Sequence, residues 1–464
     1  MAVNSNKERY TLLAVGITSF LTPFTGSAIN IAIPAMGKSL AADVVTMTWM
    51  ATGFLLASAA FAVPVGRMAD LRGRKPLFMI GVAIFGAASL AGGIATSAPV
   101  LIAMRMLQGL GGAFVFGTGM AMLAATYPPN LWGKVLGINA AVVYVGISAG
   151  PVLGGFITHY LGWRYIFYVS FGLAILALWA ARRVQRDTAP AHGQTFDLPG
   201  SLLYVTGLLA TMYGLSIIVS SAWGKWLLAA GLLLLALFVR HELGTASPLI
   251  QIKLLLRNRP FAFSNLAALI NYMATTGVSF LFSIYLQVVK GLNPQVAGLV
   301  LLSQPIIVAA ISPFSGRLSD RVEPQIVATA GMVLTVVGLV MFQFAGNRAS
   351  LSLIVLILLI MGAGFGLFGP PNNNAVMSTV DAHQHGIASS IISTMRLVGQ
   401  TLSMTVVTLI IAVVMGKIQV VSAHAGLFLV SMKTAFAIFT VLCLGGTFAS
   451  LARGNLHTRT YPGN

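Results

Sequence analysis

Gly66-Arg67-Met68-Ala69-Asp70-Leu71-Arg72-Gly73-Arg74-Lys75 is a short polar stretch between two apolar runs, 47–65 and 77–95. Each run is about 20 residues, long enough to cross a hydrocarbon core of about 30 Å as a helix. The loop reads as a clamp between two such helices. Gly66 lets a neighbouring helix approach, and Gly73 permits a tight turn. Asp70 can accept hydrogen bonds from an arginine or a helix N-terminus. Arg72, Arg74 and Lys75 suit a membrane face.

Outward from this loop the same alternation continues along the chain. Fourteen spans are predicted: 11–33, 47–65, 77–95, 100–124, 134–157, 165–181, 200–220, 226–239, 261–286, 295–315, 325–345, 351–377, 386–414 and 431–452. The eighth is short at its apolar core and borrows Trp223 and flanking residues. All nine Asp and Glu residues fall outside the apolar runs or at their edges. The composition is 57% hydrophobic and 8% charged, far from the roughly 25% charged residues of soluble domains. The expected class is therefore an all-α integral membrane protein.

A net charge of +18 would suggest a nucleic-acid partner in a soluble protein. Here the basic residues sit in short loops, and no nucleic-acid partner is expected. With the N-terminus inside, inside loops hold 18 Lys and Arg and outside loops hold 7, leaving Arg105 and Arg396 within spans. That bias favours an N-in/C-in topology. The first apolar run exceeds a signal-peptide core of about 7–15 residues, so no cleaved leader is expected. Cys443, the single cysteine, excludes an internal disulfide and a cysteine metal cluster. Asp381, His383 and His385 share one short loop without further ligands, and no metal or cofactor is expected there. No Walker loop is present, and no enzyme constellation emerges.

The polar loop recurs. Gly316-Arg317-Leu318-Ser319-Asp320-Arg321 follows the tenth span, 250 residues after Gly66. Parallel repeats are a transporter architecture in which substrate is held between halves near the midplane. Six spans with their loops occupy roughly 200 residues at this span length, so the excess fits two inserted spans. The expected organisation is a six-helix bundle over 1–186, an inserted helix pair with linkers over 187–259, and a second six-helix bundle over 260–464.

Three further stretches carry chemistry. Span four contains Met104-Arg105-Met106-Leu107-Gln108-Gly109-Leu110-Gly111-Gly112. A buried Arg costs at least about 2.5–3.5 kcal/mol, so Arg105 needs a cavity or a partner, or else bonds backbone carbonyls. Span five contains Gly146-Ile147-Ser148-Ala149-Gly150-Pro151-Val152-Leu153-Gly154-Gly155. Gly150 and Gly154 form a small-xxx-small face, and Pro151 bends the helix. Trp163-Arg164-Tyr165-Ile166-Phe167 opens span six as an aromatic anchor.

Together these stretches resemble the major facilitator superfamily, and within it the fourteen-helix drug:proton antiporter branch. The resemblance covers nearly the whole chain and is strongest in the first half. It implies the major facilitator fold, two six-helix bundles plus two extra helices. It also implies a gating role for Gly66, Asp70 and Arg74 as an outward-open latch, and for Gly150, Pro151 and Gly154 as a seal. Asp320 is the latch's second copy, and Arg105 is implied in proton coupling. One departure matters. The branch usually carries an Asp in span one ahead of Asn-x-Ala-x-Pro. Here Asn30-Ile31-Ala32-Ile33-Pro34 is present, but the Asp position is Thr25.

With embedded acids absent, polar and cationic residues become the substrate-binding candidates: Thr25, Asn30, Arg105, Gln108, Tyr144, Asn271, Tyr272, Gln304, Asn373 and Arg396. Buried polar groups need partners, although a single Thr often bonds its own helix backbone. Asn372-Asn373-Asn374 follows Pro370-Pro371, which reads either as a broken span lining a cavity or as a helix end. The expected function is export of small amphipathic compounds by alternating access. Alternatives are an uncoupled facilitator, a carrier of an anionic metabolite or lipid, or a transport-inactive receptor. Three energetic schemes stay open: a proton bound at the rim by Asp43 or His159, no coupling, or an anionic substrate bound by Arg105 and Arg396. Neutral or anionic amphiphiles are favoured over dications, which would lack a counter-charge. The expected partners are a small-molecule substrate, protons under the first scheme, and the lipid bilayer. The expected setting is a monomer in a prokaryotic cell membrane.

Overall fold

The computed structural model describes residues 5–128, 131–184, 195–219, 221–245, 247–344, 346, 349–381, 384–416, 418 and 422–454. Among them are sixteen α-helices and no strand. Fourteen stretches are long and apolar enough to cross a membrane, matching the predicted spans. The first half comprises α1 (Ser5–Ser39), α2 (Val44–Arg72), α3 (Arg74–Gly93), α4 (Ala98–Thr126), α5 (Trp132–Tyr160) and α6 (Arg164–Arg182). α7 (Leu198–Ile217) and α8 (Trp223–Gly244) follow; α8 starts at Trp223 as expected. A short α9 (Ile252–Arg257) precedes α10 (Arg259–Ile284), α11 (Pro294–Leu301), α12 (Ser303–Ser319), α13 (Pro324–Phe344), α14 (Leu351–Met377), α15 (His385–Val414) and α16 (Ala425–Leu451).

The helix ends follow local chemistry. Asp43, Asp197, Asn258 and Ser350 cap α2, α7, α10 and α14, accepting from the backbone N–H three residues on. Such caps satisfy one of the four free donors of each N-terminus. Span ten breaks at Leu302, between α11 and α12. Pro305 explains the break, since it cannot donate to the Leu301 carbonyl.

The twin prolines of α14 behave differently. The helix runs unbroken through Pro370 and Pro371 to Met377, so the broken-span expectation is corrected and Asn372–Asn374 form its last turns. Pro370 deprives the Gly366 carbonyl of its usual donor, and the Ser315 hydroxyl of α12 donates to that carbonyl at 2.7 Å. A neighbouring helix thus repairs the ladder, as membrane helices require.

The chain divides into two compact units. Unit 1 holds residues 1–249, 291–299 and 416–420; unit 2 holds 250–290, 300–415 and 421–464. In unit 1, α1 packs on α5 and α6, α2 on α4, and α3 on α4 and α6. In unit 2, α10 packs on α15 and α16, α12 on α14, and α13 on α14 and α16. The second pattern is the first repeated.

Glycine contacts fix the repeat residue by residue. A Cβ on Gly109 would stand 2.3 Å from the Phe54 carbonyl, and one on Gly362 would stand 2.6 Å from that of Gln304. Gly111 lies against the Gly81 carbonyl, as Gly364 lies against that of Gly331. Gly146 meets the Phe20 carbonyl, as Gly399 meets that of Leu269. Phe54 and Gln304, and Gly81 and Gly331, share the 250-residue spacing of the two polar loops. The inserted α7 and α8 pack on each other, and α7 is tied to α2 by Tyr204 donating to the Ala59 carbonyl at 3.1 Å.

Candidate functional site

The polar stretch is shorter as a loop than its composition suggests. Gly66–Arg72 form the last turns of α2 and Arg74 starts α3, leaving Gly73 alone outside a helix. Gly73 has φ 95°, a conformation that favours glycine, and its N–H donates to the Ala69 carbonyl. That turn starts α3 beside the end of α2. Arg74 pairs with Asp70 at 3.4 Å and donates to the Ala121 carbonyl of α4 at 3.1 Å. Lys75 donates to the Arg182 and Val184 carbonyls at the end of α6. The loop therefore ties α2, α3, α4 and α6 together. A Cβ on Gly66 itself would meet open space; the close approach runs through Gly117 of α4, whose Cβ would stand 3.2 Å from the Gly66 backbone. The second copy is plainer. Asp320 is exposed and forms no ion pair among the described residues. Gln325, 250 residues after Lys75, donates instead to the Leu451 carbonyl at the end of α16.

Arg453 reinforces that end of unit 2. It lies just past α16, is 2% exposed, and bonds the Ser450 carbonyl, the Ser450 hydroxyl and Asn372 of α14, with Ser264 of α10 at 3.5 Å. Burial lowers its guanidinium to about 10, so it stays protonated near neutral pH. Its partners are all neutral, which makes it a clasp between three helices.

Arg105 is 2% exposed inside unit 1. Its Nε donates to the Met50 carbonyl at 3.0 Å and its Nη1 to Gln108 at 2.7 Å, with the guanidinium 4.7 Å from the Phe54 ring centre. Gln108 donates to Ser89, which donates to the Phe85 carbonyl. Thr25 is fully buried. Its hydroxyl donates to the Leu21 carbonyl and lies 2.9 Å from the Ser170 hydroxyl of α6. Asn30 and Tyr144 are half-buried.

The glycines of α5 from Gly146 on are covered by two neighbours. Cβ atoms on Gly150 and Gly154 would meet Ser27 and Ala28 of α1 at 2.4 and 2.6 Å. On its other side, a Cβ on Gly155 would meet the Pro294 carbonyl at 2.4 Å, and one on Gly298 the Pro151 carbonyl at 2.1 Å. The opening of α11 thus seats on Pro151 and Gly155. Arg164 donates to the Ala95 carbonyl and stacks 4.2 Å over Trp163, anchoring the start of α6 to the end of α3.

The rim groups differ in setting. Asp43 is engaged as the cap of α2, accepting from Thr46 at 2.7 Å. His159 is exposed and edge-on to Tyr160.

In unit 2, Asn271 is fully buried, and neither atom of its amide has a hydrogen-bond partner among the described residues. Tyr272 is half-buried, edge-on to Phe365 of α14 at 5.5 Å. Gln304 is half-buried, and Asn373 is exposed in the last turns of α14. Arg396 is half-buried on α15 with no hydrogen bond, ion pair or ring contact to another described residue. In the 381–385 loop, where no metal is expected, His383 lies outside the described residues.

Several contributors had no signature in the sequence. Met50 serves Arg105 through its backbone, and Ser170 and Ser315 act across separations of 145 and 51 residues. Asp197 and His241, paired at 2.9 Å on the inserted helices, were also unforeseen.

Two repeated six-helix bundles and an inserted helix pair, fourteen candidate membrane helices among the described residues, define the architecture of a facilitator-type transporter. The Major Facilitator Superfamily model matches residues 15–404, with a second match over 266–459. The chain belongs to the Major Facilitator Superfamily; it is a multi-pass membrane transporter and not an enzyme. It is 31% identical over 410 residues to "Multidrug resistance protein Stp" of Mycobacterium tuberculosis, covering 87% of this chain and 75% of that one. It is 27% identical to "Riboflavin transporter RibZ" of Clostridioides difficile, over 94% of this chain and 95% of that one. It is also 27% identical to the "Tetracenomycin C resistance and export protein" of Streptomyces glaucescens, over 88% of this chain and 77% of that one. Among solved structures, a bacterial homologue of the human lysosomal transporter Spinster superposes with a TM-score of 0.70 at 15% identity, covering 98% of this chain and 99% of that one. That likeness concerns the fold.

Proposed function

We propose that this protein exports small amphipathic compounds, neutral or anionic in preference to dicationic, by alternating access across a bacterial inner membrane. The observation carrying this reading is the sign of the embedded charge. Among the described residues no acid lies deeper than two residues from a span end, whereas Arg105 and Arg396 lie seven and eleven residues inside their spans. A cation in such an interior lacks a counter-charge, while Arg offers an anion a planar fork of donors. Relatives named for multidrug resistance and for export support the direction of transport. The loop charges favour an N-in/C-in topology, with bundles at 1–186 and 260–464 flanking the helix pair of 187–259.

The test is expression in an efflux-deficient bacterium. Accumulation of at least one neutral or anionic amphiphile should fall. Unchanged accumulation across cationic, neutral and anionic panels rejects export. Flux into proteoliposomes under an imposed pH gradient then separates proton exchange from the uncoupled scheme.

The polar loop serves in this cycle as a latch, with Asp70 as the acceptor for Arg74. Their ion pair is half exposed, so removing it costs about 0–1 kcal/mol of stability. Asp70→Asn should therefore melt like the wild type. Its transport should nevertheless fall about fivefold or more, the scale of a biased conformational equilibrium. Asp320→Asn should do less, since Asp320 has no such partner. Wild-type flux in Asp70→Asn removes the latch role.

A further inference from the structure

We infer that one face of α15 is an oxyanion-recognition site, centred on Arg396 and built for the carboxylate or sulfonate of an aromatic anion. The inference rests on the transporter reading above and names its substrate class, aromatic anions that present one carboxylate or sulfonate to Arg396, whatever further charge they carry elsewhere. Ser389, Ser393, Arg396 and Gln400 recur at i, i+4, i+7 and i+11, which places them on one helix face. None of the four makes a side-chain hydrogen bond to another described residue. Of the other hydroxyls along α15, Thr394, Thr401, Thr405 and Thr408 donate to backbone carbonyls one turn back, and Ser403 accepts from Gly277; Ser390, exposed near the helix start, is the exception. From Ile391 on, the open polar side chains therefore lie on one face.

Lipid does not account for that face. From Ile391 to Ile410 no α15 residue is exposed; all are buried or half-buried. An embedded arginine without an internal partner marks a ligand path rather than a packing element. Arg105 is the contrast, with Met50 and Gln108 already accepting from its Nε and Nη1. The stripe supplies cationic, amide and hydroxyl donors and no carboxylate, the donor set for an oxyanion. One turn along, a Cβ on Gly399 would stand 3.1 Å from the Tyr272 Cβ, and the Tyr272 ring is edge-on to Phe365. This places an aromatic pair at the level of Arg396 and Gln400, suited to a flat apolar body.

The test uses two xanthene dyes of like shape, anionic fluorescein and cationic rhodamine 6G, with neutral Nile red as a third probe. Binding to purified full-length protein in nanodiscs is read by fluorescence anisotropy, and flux is read in proteoliposomes. Wild type should bind fluorescein about tenfold or more tighter than rhodamine 6G, the scale of one charge-assisted contact. Arg396→Gln should lose that preference while Nile red binding is kept, and Arg396→Lys should fall between. Unchanged fluorescein binding in Arg396→Gln overturns the site, as does a wild-type preference for rhodamine 6G. Equal loss of all three probes in both variants also overturns it, because Arg396 is then structural. Wild-type flux of any probe with an indifferent Arg396 leaves the transporter reading standing without the site. Arg396-dependent binding with no flux of any probe leaves the site standing without that reading.

Discussion

Gly154→Val is expected to abolish folded, monodisperse protein, whereas Gly172→Val on α6 is expected to leave it intact. The first Cβ would stand 2.6 Å from the Ala28 Cα and 2.7 Å from its Cβ. Neither neighbour is the end of a flexible side chain, so only separation of the α1 and α5 backbones can make room. Overpacking a close contact costs typically about 1–3 kcal/mol per site, and two added methyls at a backbone contact belong at the upper end or beyond. Gly150 and Gly146 sit at the same interface, so a shift at one position opens all three. At Gly172 an added Cβ meets nothing within 4 Å, and valine replaces a poorer helix former. Size-exclusion profiles and thermal denaturation of the two variants decide the matter. Gly154→Val with wild-type melting and flux would show that α1 and α5 do not touch through this glycine face.

The span pattern was legible because lipid leaves so few solutions. Every backbone polar group must be satisfied within the span, so a 20-residue apolar run becomes a helix. The repeat was legible because Gly66 and Gly316 keep a spacing that the Gly81 and Gly331 contacts also keep. What the sequence hid are contacts whose partner is a backbone or a distant neutral side chain. Arg105 advertised an embedded charge, but its acceptor is the carbonyl of Met50, which any residue would supply. Pro370-Pro371 advertised a break; Ser315 on another helix removes the reason for one. Pro305 was the visible cause of a break that does occur. For the substrate-binding candidates the sequence could give residue type but not direction. Asn271 is fully buried without a hydrogen-bond partner among the described residues, Asn373 is exposed, and Arg396 is half-buried.

Placing an acid at position 25 of span one should not create proton exchange. Thr25→Asp places a carboxylate where Thr25 is fully buried, with the Ser170 hydroxyl as its nearest polar side chain. The embedded cation of the same unit, Arg105, is already bonded to Met50 and Gln108. An ionised Asp there has one neutral donor and no bound cation, at a cost of about 2.5–3.5 kcal/mol or more. The group escapes that cost by holding its proton, which removes the charge cycle that coupling needs. Thr25→Asp should therefore lower the melting temperature and reduce flux at every pH, without adding a pH-gradient dependence. Thr25→Val separates the packing role from the charge: it loses the hydroxyl's bond to the Leu21 carbonyl of its own helix and the contact with Ser170, the latter about 0.6 kcal/mol for an interhelical hydrogen bond in a membrane. Its flux should stay near wild type. The outcome that reverses this view is a stable Thr25→Asp protein whose export rises with an inward proton gradient. Position 25 would then be open to protons during the cycle, and a carboxylate there would suffice to couple export to protons.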